Sequence, residues 1–354
     1  MKKILSFFLK LLGILVLAAA ILLGWLTATE FNPAPVEAAE VTRAGDVDTL
    51  KGGDSLTVLS WNVGYGGLGK DSDFFMDGGK DARSADEATV KAYLGGISAA
   101  IEESGADLVL LQEVDSDSSR TYGIDERSFL DRGMSCETYA MNYSCPFVPV
   151  PVPPIGKVHS GLYTMTDDLI IDRAERISLP CPFSWPLRIA NLKRCLLVSY
   201  LPIEGSEKQL VLVNLHLEAY DDGAGKIAQT KQLREFITGE YEKGNYVIAG
   251  GDFNQVFPGS LERYPNTHPE NWEPGVLDAD LLPAGWTLAY DLATPTCRLL
   301  NQPYDPADLE GTPYYVIDGL ILSPNVELKN VETLDAGFAN SDHNPVRLEV
   351  VLGE

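Results

Sequence analysis

Short apolar runs rich in β-branched residues, each closed by a carboxylate, an amide or an imidazole, set the tightest limit on what this chain can fold into. Leu56-Thr-Val-Leu-Ser-Trp leads into Asn62, and Asp107-Leu-Val-Leu-Leu-Gln leads into Glu113. Residues 196–200 and 209–215 read as two strands of a hairpin turned at Pro202-Ile-Glu-Gly, the second ending at His216. Tyr246-Val-Ile-Ala-Gly precedes Asp252, residues 315–322 enclose Asp318, and residues 346–352 follow Asp342 and His343. Helices are expected from about residue 85 to 103 and from about 224 to 239. Strands outnumber helices and occur both as hairpins and as helix-linked pairs. That predicts mixed sheets with helices outside, an α/β (α+β) chain.

The N-terminus obeys a different rule. Met1-Lys-Lys is followed by an apolar stretch to Leu26, broken only by Ser6, Lys10 and glycines, and uncharged from Leu11 onward. About 20 such residues cross a bilayer. The flanking lysines place the N-terminus inside and the bulk of the chain outside. Two readings stand. One is an uncleaved single-pass membrane anchor, which the length of the run and the poor small-residue site favour. The other is a signal peptide cut near Thr27-Ala28-Thr29 or beside Ala38-Ala39, giving a secreted protein. Residues 1–30 are therefore expected to be an anchor or signal, the Ala/Glu/Pro/Gly-rich residues 31–54 a linker, and residues 55–354 the folded domain.

The chain of 354 residues carries 27 Lys+Arg against 51 Asp+Glu, a net charge of −24. Residues 1–30 hold three lysines and one glutamate, which leaves −26 on the remainder. A protein that grips nucleic acid through its phosphates shows a basic face, and no basic run is present. The acidity reads as a solvated surface or as a cleft that attracts cations. The five cysteines all follow the apolar run, where disulfides can form. Cys136/Cys145 and Cys181/Cys195 are sequence neighbours, but pairing does not follow from sequence. No CxxC occurs and no histidine is near a cysteine in sequence, which argues against zinc. Residues 70–84, 116–154 and 271–313 read as insertions or lids, the second with an extended Pro-rich run at 147–154.

Taken singly, each polar residue at a strand end has an ordinary use: Asp252 and Asn254 as turn formers, Asn62 as a cap, Glu113 in an ion pair. Asp318 is harder to explain, since a carboxylate in an apolar strand is costly without a partner. Jointly, the order Ser60-Trp61-Asn62-Val63, Gln112-Glu113, Ser160-Gly161-Leu162-Tyr163, Asn214-Leu215-His216, Gly251-Asp252-Phe253-Asn254, Ile317-Asp318 and Ser341-Asp342-His343 resembles the endonuclease/exonuclease/phosphatase superfamily. Gly251–Asn254 and the Ser-Asp-His-Asn-Pro-Val block at 341–346 are its most specific parts.

The resemblance implies a DNase I-like four-layer α/β sandwich of two mixed sheets flanked by helices. It implies hydrolysis of phosphate esters with Mg²⁺, or Mn²⁺, held by Asn62, Glu113 and Asp342. Asp252 would orient or deprotonate the attacking water, and Asn254 would fix the phosphate. His343, oriented by Asp318, and His216 would bind phosphate oxygens. A nucleic acid is the leading substrate by analogy alone, a sphingomyelinase-like phospholipid the alternative and a phosphomonoester a third. No protein partner is implied. A non-catalytic domain would be expected to have lost at least one of these residues, and none is lost. The insertion at 70–84 follows the Asn62 strand, and Phe74, Phe75 and Met76 in it are candidates to touch a base or a lipid.

Overall fold

The computed structural model describes residues 1–278, 280–308 and 310–353. Residues 279 and 309, within the third expected insertion, and 354 at the end of the domain lie outside them. Fourteen strands build two seven-stranded sheets. In chain order they are β1 (Val36–Ala39), β2 (Val41–Arg43), β3 (Ser55–Asn62), β4 (Leu108–Asp115), β5 (Cys136–Val148), β6 (Gly156–Thr166), β7 (Arg173–Ser178), β8 (Cys195–Pro202), β9 (Gln209–His216), β10 (Tyr246–Asp252), β11 (Thr287–Ala289), β12 (Asp318–Leu322), β13 (Val326–Thr333) and β14 (Val346–Leu352). One sheet has the order β1-β7-β8-β9-β10-β12-β11, the other β13-β14-β3-β4-β6-β5-β2. Each contains one parallel pair, β9/β10 or β3/β4, and is otherwise antiparallel.

Period-two patterning decides the layers. In β9, Leu210 and Leu212 enter the core between the sheets, while Val211, Val213 and Leu215 face Leu233 and Ile237 of the helix Ala224–Glu242. In β4, Leu108 and Leu110 face the other sheet, while Val109 and Leu111 meet Val90, Leu94, Ile97 and Ile101 of the helix Glu87–Ser104. The result is helix, sheet, sheet, helix, the four-layer sandwich expected. Each helix is the crossover of a parallel pair, as parallel strands require. The Glu87–Ser104 helix begins where Asp86 accepts a hydrogen bond from Thr89 N (2.7 Å) and ends at Gly105 with φ 58°.

Several expectations are corrected. Residues 31–54 are not a free linker, because β1 and β2 add an edge strand to each sheet. The stretch 116–154 is not a lid. It contains the 13-residue β5, paired along its length with β6. The Pro-rich run is not extended throughout; residues 151–154 turn the chain between those strands. All five cysteines are free. Cys136 and Cys145 lie nine positions apart on β5, about 30 Å at ~3.3 Å per residue, far beyond disulfide reach.

The N-terminal helix Lys2–Ala28 is long and apolar enough to cross a membrane, and its most apolar window (mean hydropathy 2.6) is not buried against the domain. Its last turns are. Leu26 packs among Tyr143, Cys145, Val148, Ile155 and Ile189. Trp185 Nε1 donates to Thr27 Oγ1 (3.2 Å), and Glu30 pairs with Arg188 (3.0 Å) and Lys193 (3.1 Å).

Candidate active site

Parallel pairs put their carboxyl ends on one side, and ligand sites gather there. Asn62 ends β3, Glu113 lies near the end of β4, His216 ends β9 and Asp252 ends β10. The antiparallel strands β12 and β14 arrive from the same side. Asp318 is therefore the first residue of β12 rather than an interior one, and the 341–345 loop before β14 delivers Asp342 and His343. In register, Asp252 stands between His216 and Asp318. That approach requires glycine next door, since a Cβ on Gly251 would lie 1.9 Å from Leu215 O. Glu113 sits at a β-bulge with φ 56°, which turns it out of the strand's alternation. Asn254 also has positive φ, 51°.

The side chains form one connected group. Asn62 Nδ2 donates to Glu113 Oε1 (3.2 Å) and Asp252 Oδ2 (3.0 Å). Asp252 Oδ1 accepts from Asn254 N (2.8 Å), and Asn254 Nδ2 donates to Leu217 O (2.9 Å). His216 Nε2 lies 3.4 Å from Asp252 Oδ2 and 4.0 Å from Glu113 Oε1. His343 Nδ1 is 2.8 Å from Asp318 Oδ2, and its Nε2 is 3.9 Å from both Asp252 Oδ2 and Asp342 Oδ2. Trp61 Nε1, donating to His343 O (2.8 Å), and Ser341 Oγ, donating to Asn62 O (2.8 Å), tie the 341–345 loop to β3. All eight residues expected from the sequence thus converge on one rim.

Burial and like charge set the protonation. Burial, then Asp318, pushes Asp252 up to about 7. Burial, with Glu113 adding to it, pushes Asp342 up to about 6. Burial alone would discharge His343, but Asp318, Cys297 and Asp342 outweigh it and hold the imidazolium well above its usual range. Burial, Arg194 and His343 hold His216 well below that range, so it is neutral. Carboxylates crowded around too little positive charge fit a hard divalent cation. Their oxygen donors suit Mg²⁺ or Mn²⁺ better than a soft metal. The fold does bring one cysteine to a histidine. Cys297 Sγ, an Asp342 oxygen and a His343 nitrogen lie within 4.8 Å of one another.

Other residues were missed in the sequence. Asp77, from the 70–84 insertion, is buried beside this group and accepts a hydrogen bond from Tyr220 OH (3.1 Å). Burial first, then Asp342, pushes it up to about 7. Arg298 N donates to Asp342 O (3.0 Å), and its guanidinium holds Gly69 O (3.0 Å) and Ser72 O (3.2 Å), fastening the insertion to the site. Gln112 Nε2 donates to Asn214 Oδ1 (2.8 Å), and Asn214 Nδ2 to Leu111 O (3.0 Å), a buried polar bridge between the sheets beneath the site. An acid after Phe-Phe-Met and an arginine inside Thr-Cys-Arg-Leu-Leu were the available signals. The rim opens into a cavity of about 580 Å³.

The fold recurs in solved structures. An endonuclease/exonuclease/phosphatase from Beutenbergia cavernae DSM 12333 has 17% identity and TM-score 0.56, over 84% of this chain and 72% of that one. ANGEL2, a 2',3'-cyclic phosphatase, has 15% identity and TM-score 0.56, over 89% and 99%. An endonuclease/exonuclease/phosphatase family protein from Bacteroides thetaiotaomicron has 16% identity and TM-score 0.52, over 85% and 99%. At these identities the likeness carries the DNase I-like fold alone. A search of curated proteins gives no match. The endonuclease/exonuclease/phosphatase profile matches residues 59–343, from within β3 to the His343 loop, and the chain belongs to that family of phosphate-ester hydrolases.

Proposed function

We propose that the chain is a Mg²⁺-dependent phosphodiesterase held to the outer face of a membrane by its N-terminal helix. The observation that carries the chemistry is the single rim joining Glu113, Asn62, Asp252, His216, His343 and Asp318 through contacts of 2.8–4.0 Å. A divalent ion held by Glu113, Asn62 and Asp342 would supply charge neutralisation for the phosphoryl and leaving oxygens. The chain's own groups do the rest. Asp252, held by Asn254 N and Asn62 Nδ2, takes the proton of the attacking water. His343, charged by Asp318, donates from Nε2 to a non-bridging phosphate oxygen. Neutral His216 and Asn254 bound the opposite side of the phosphate. Water oxygen bonds to phosphorus, the P–O bond to one alcohol breaks, and the departing oxygen takes a proton from solvent, leaving a phosphomonoester and, on Asp252, the proton of the attacking water. Glu113→Gln is expected to raise the Mg²⁺ concentration for half-activity about tenfold or more, since it removes ligand charge. An unchanged Mg²⁺ titration would exclude Glu113 as a ligand.

The contacts of Leu26, Thr27 and Glu30 support the anchor over a cleaved signal. A cut at residues 27–29 would strip the Leu26 packing and leave Glu30 at a new terminus, and one beside Ala38-Ala39 would remove β1. Fractionated cells should hold the uncleaved chain in the membrane. A soluble form starting near residue 30 would establish a signal instead.

Removing the cation should have a pH-dependent cost. Asp77 and Asp252 at about 7 and Asp342 at about 6 keep protons that the unfolded chain releases near pH 4. Their stability is complete below that unfolded value and is lost as pH rises to about 7. His216 acts oppositely, losing stability as pH falls below its ordinary range, but it is one group against these three acids and His343, whose raised range adds to the same fall. The melting temperature in EDTA should therefore fall from about pH 5 to about pH 7.5, and saturating Mg²⁺ should flatten the slope. A slope unaffected by Mg²⁺ would contradict cation binding at these carboxylates.

A further inference from the structure

The cavity that starts at the catalytic rim ends at the N-terminal helix. Leu23, Leu26, Val148, Ile155 and Ile189 line the same space as Asp252 and His343. Counting back from Leu22 to Lys3 gives a rise of about 30 Å at ~1.5 Å per residue, the thickness of a bilayer's hydrocarbon core. An anchor of that length sets Leu23–Leu26, and with them the far end of the cavity, at the outer interface. Around the helix end the domain exposes Val150, Val152, Trp185 and Leu187, with Val152 93% and Leu187 65% accessible. Apolar side chains presented together beside a membrane helix mark a lipid-facing surface. Asn142 Nδ2 on the cavity wall is buried with no hydrogen-bond partner, and Arg194 Nε on the same wall has only a long ion-pair contact, 3.9 Å, with Glu218 Oε2. Such an orphan is costly unless a ligand meets it.

We propose that this cavity is a lateral channel for the acyl chain of a phospholipid. A lipid of the outer leaflet passes its tail between the last turns of the N-terminal helix and the loops at 149–154 and 182–192. Its ester or amide oxygens meet Asn142 and Arg194, and its phosphodiester reaches His216 and His343. The proposal rests on the phosphodiesterase reading above and names its substrate class. A volume of about 580 Å³ accommodates a ligand of that kind. A nucleic acid would instead meet a chain of charge −24 and aliphatic outer walls.

The test uses the full chain in nanodiscs of mixed phosphatidylcholine, phosphatidylethanolamine, phosphatidylglycerol and sphingomyelin with Mg²⁺, their water-soluble short-chain counterparts, and the soluble ester bis(4-nitrophenyl) phosphate. At least one long-chain lipid should be cleaved about tenfold or more faster than its short-chain counterpart. The double variant Val152→Asp/Leu187→Asp should lower the ratio of lipid to soluble-ester turnover about tenfold. In the Asp252→Asn chain, a phosphatidylcholine with a diazirine on its acyl chain should label residues 143–155 and 187–192. Equal rates for long and short chains, an unchanged ratio, or labelling confined to residues 2–22 would overturn the channel. Cleavage of the soluble ester alone would overturn it and leave the phosphodiesterase standing. Silence on every ester would overturn both.

Discussion

Replacing Asp252 by Asn is expected to lower turnover about 10³-fold or more without loss of folding. The substitution keeps the shape of the side chain and its contact with Asn254 N, but removes the base. Asp252 is 2% accessible and already carries the burden of burial and of Asp318. The uncharged amide therefore relieves like-charge repulsion, and the melting temperature of the metal-free protein should hold or rise. Steady-state rates and thermal melts on the same preparation decide it. Near-normal turnover in the variant would refute the assigned role, while a collapse of the melt would mean that Asp252 serves the fold.

His343→Ala should cost about 10²- to 10⁴-fold in kcat/KM if the ring serves as proposed, as the charged donor to the phosphate. Asp318 acts through it. Asp318→Asn removes the carboxylate 2.8 Å from Nδ1, the largest of the charges that together outweigh burial, so the imidazolium should lose its proton at a lower pH. Since the charged ring is the active form, the alkaline fall in activity should move to lower pH in Asp318→Asn. A merely structural Asp318 would lower the rate without moving the profile. An unshifted profile would therefore exclude the pair as a unit.

The parts of the fold that could be read in the sequence are those written in aliphatic residues. β3, β4, β8, β9 and β10 each carry a run of Leu, Val and Ile, because these strands are buried on both faces over most of their length, while β14 alternates buried Val346, Leu348, Val350 and Leu352 with half-buried Arg347 and Glu349. β5 was missed for the converse reason. It alternates buried Cys136, Thr138 and Ala140 with half-buried Glu137, Tyr139 and Met141, and Glu137, Thr138, Asn142 and Ser144 break the aliphatic pattern. β1 and β2 are edge strands of four and three residues, too short for a periodic signal. The rim residues were legible because they interrupt apolar strands with groups that need partners. Asp77, Arg298 and the orphan donor Asn142 were not. Their place depends on how the loops at 70–84 and 271–313 and the strand β5 fold over the rim, and no short-range pattern encodes that. Cys297 shows the same limit, since it lies 46 positions from His343 in sequence and beside it in space.

Hydrolysis of a phosphate diester at this rim with a divalent ion is the proposal on which the rest depends. It is tested most directly by following bis(4-nitrophenyl) phosphate with the purified full chain in detergent, in Mg²⁺ and in EDTA, beside Asp252→Asn. Release of 4-nitrophenol is expected with Mg²⁺, with loss in EDTA, recovery when Mg²⁺ is restored, and the variant near background. Hydrolysis that persists in EDTA, or that Asp252→Asn retains, would contradict it.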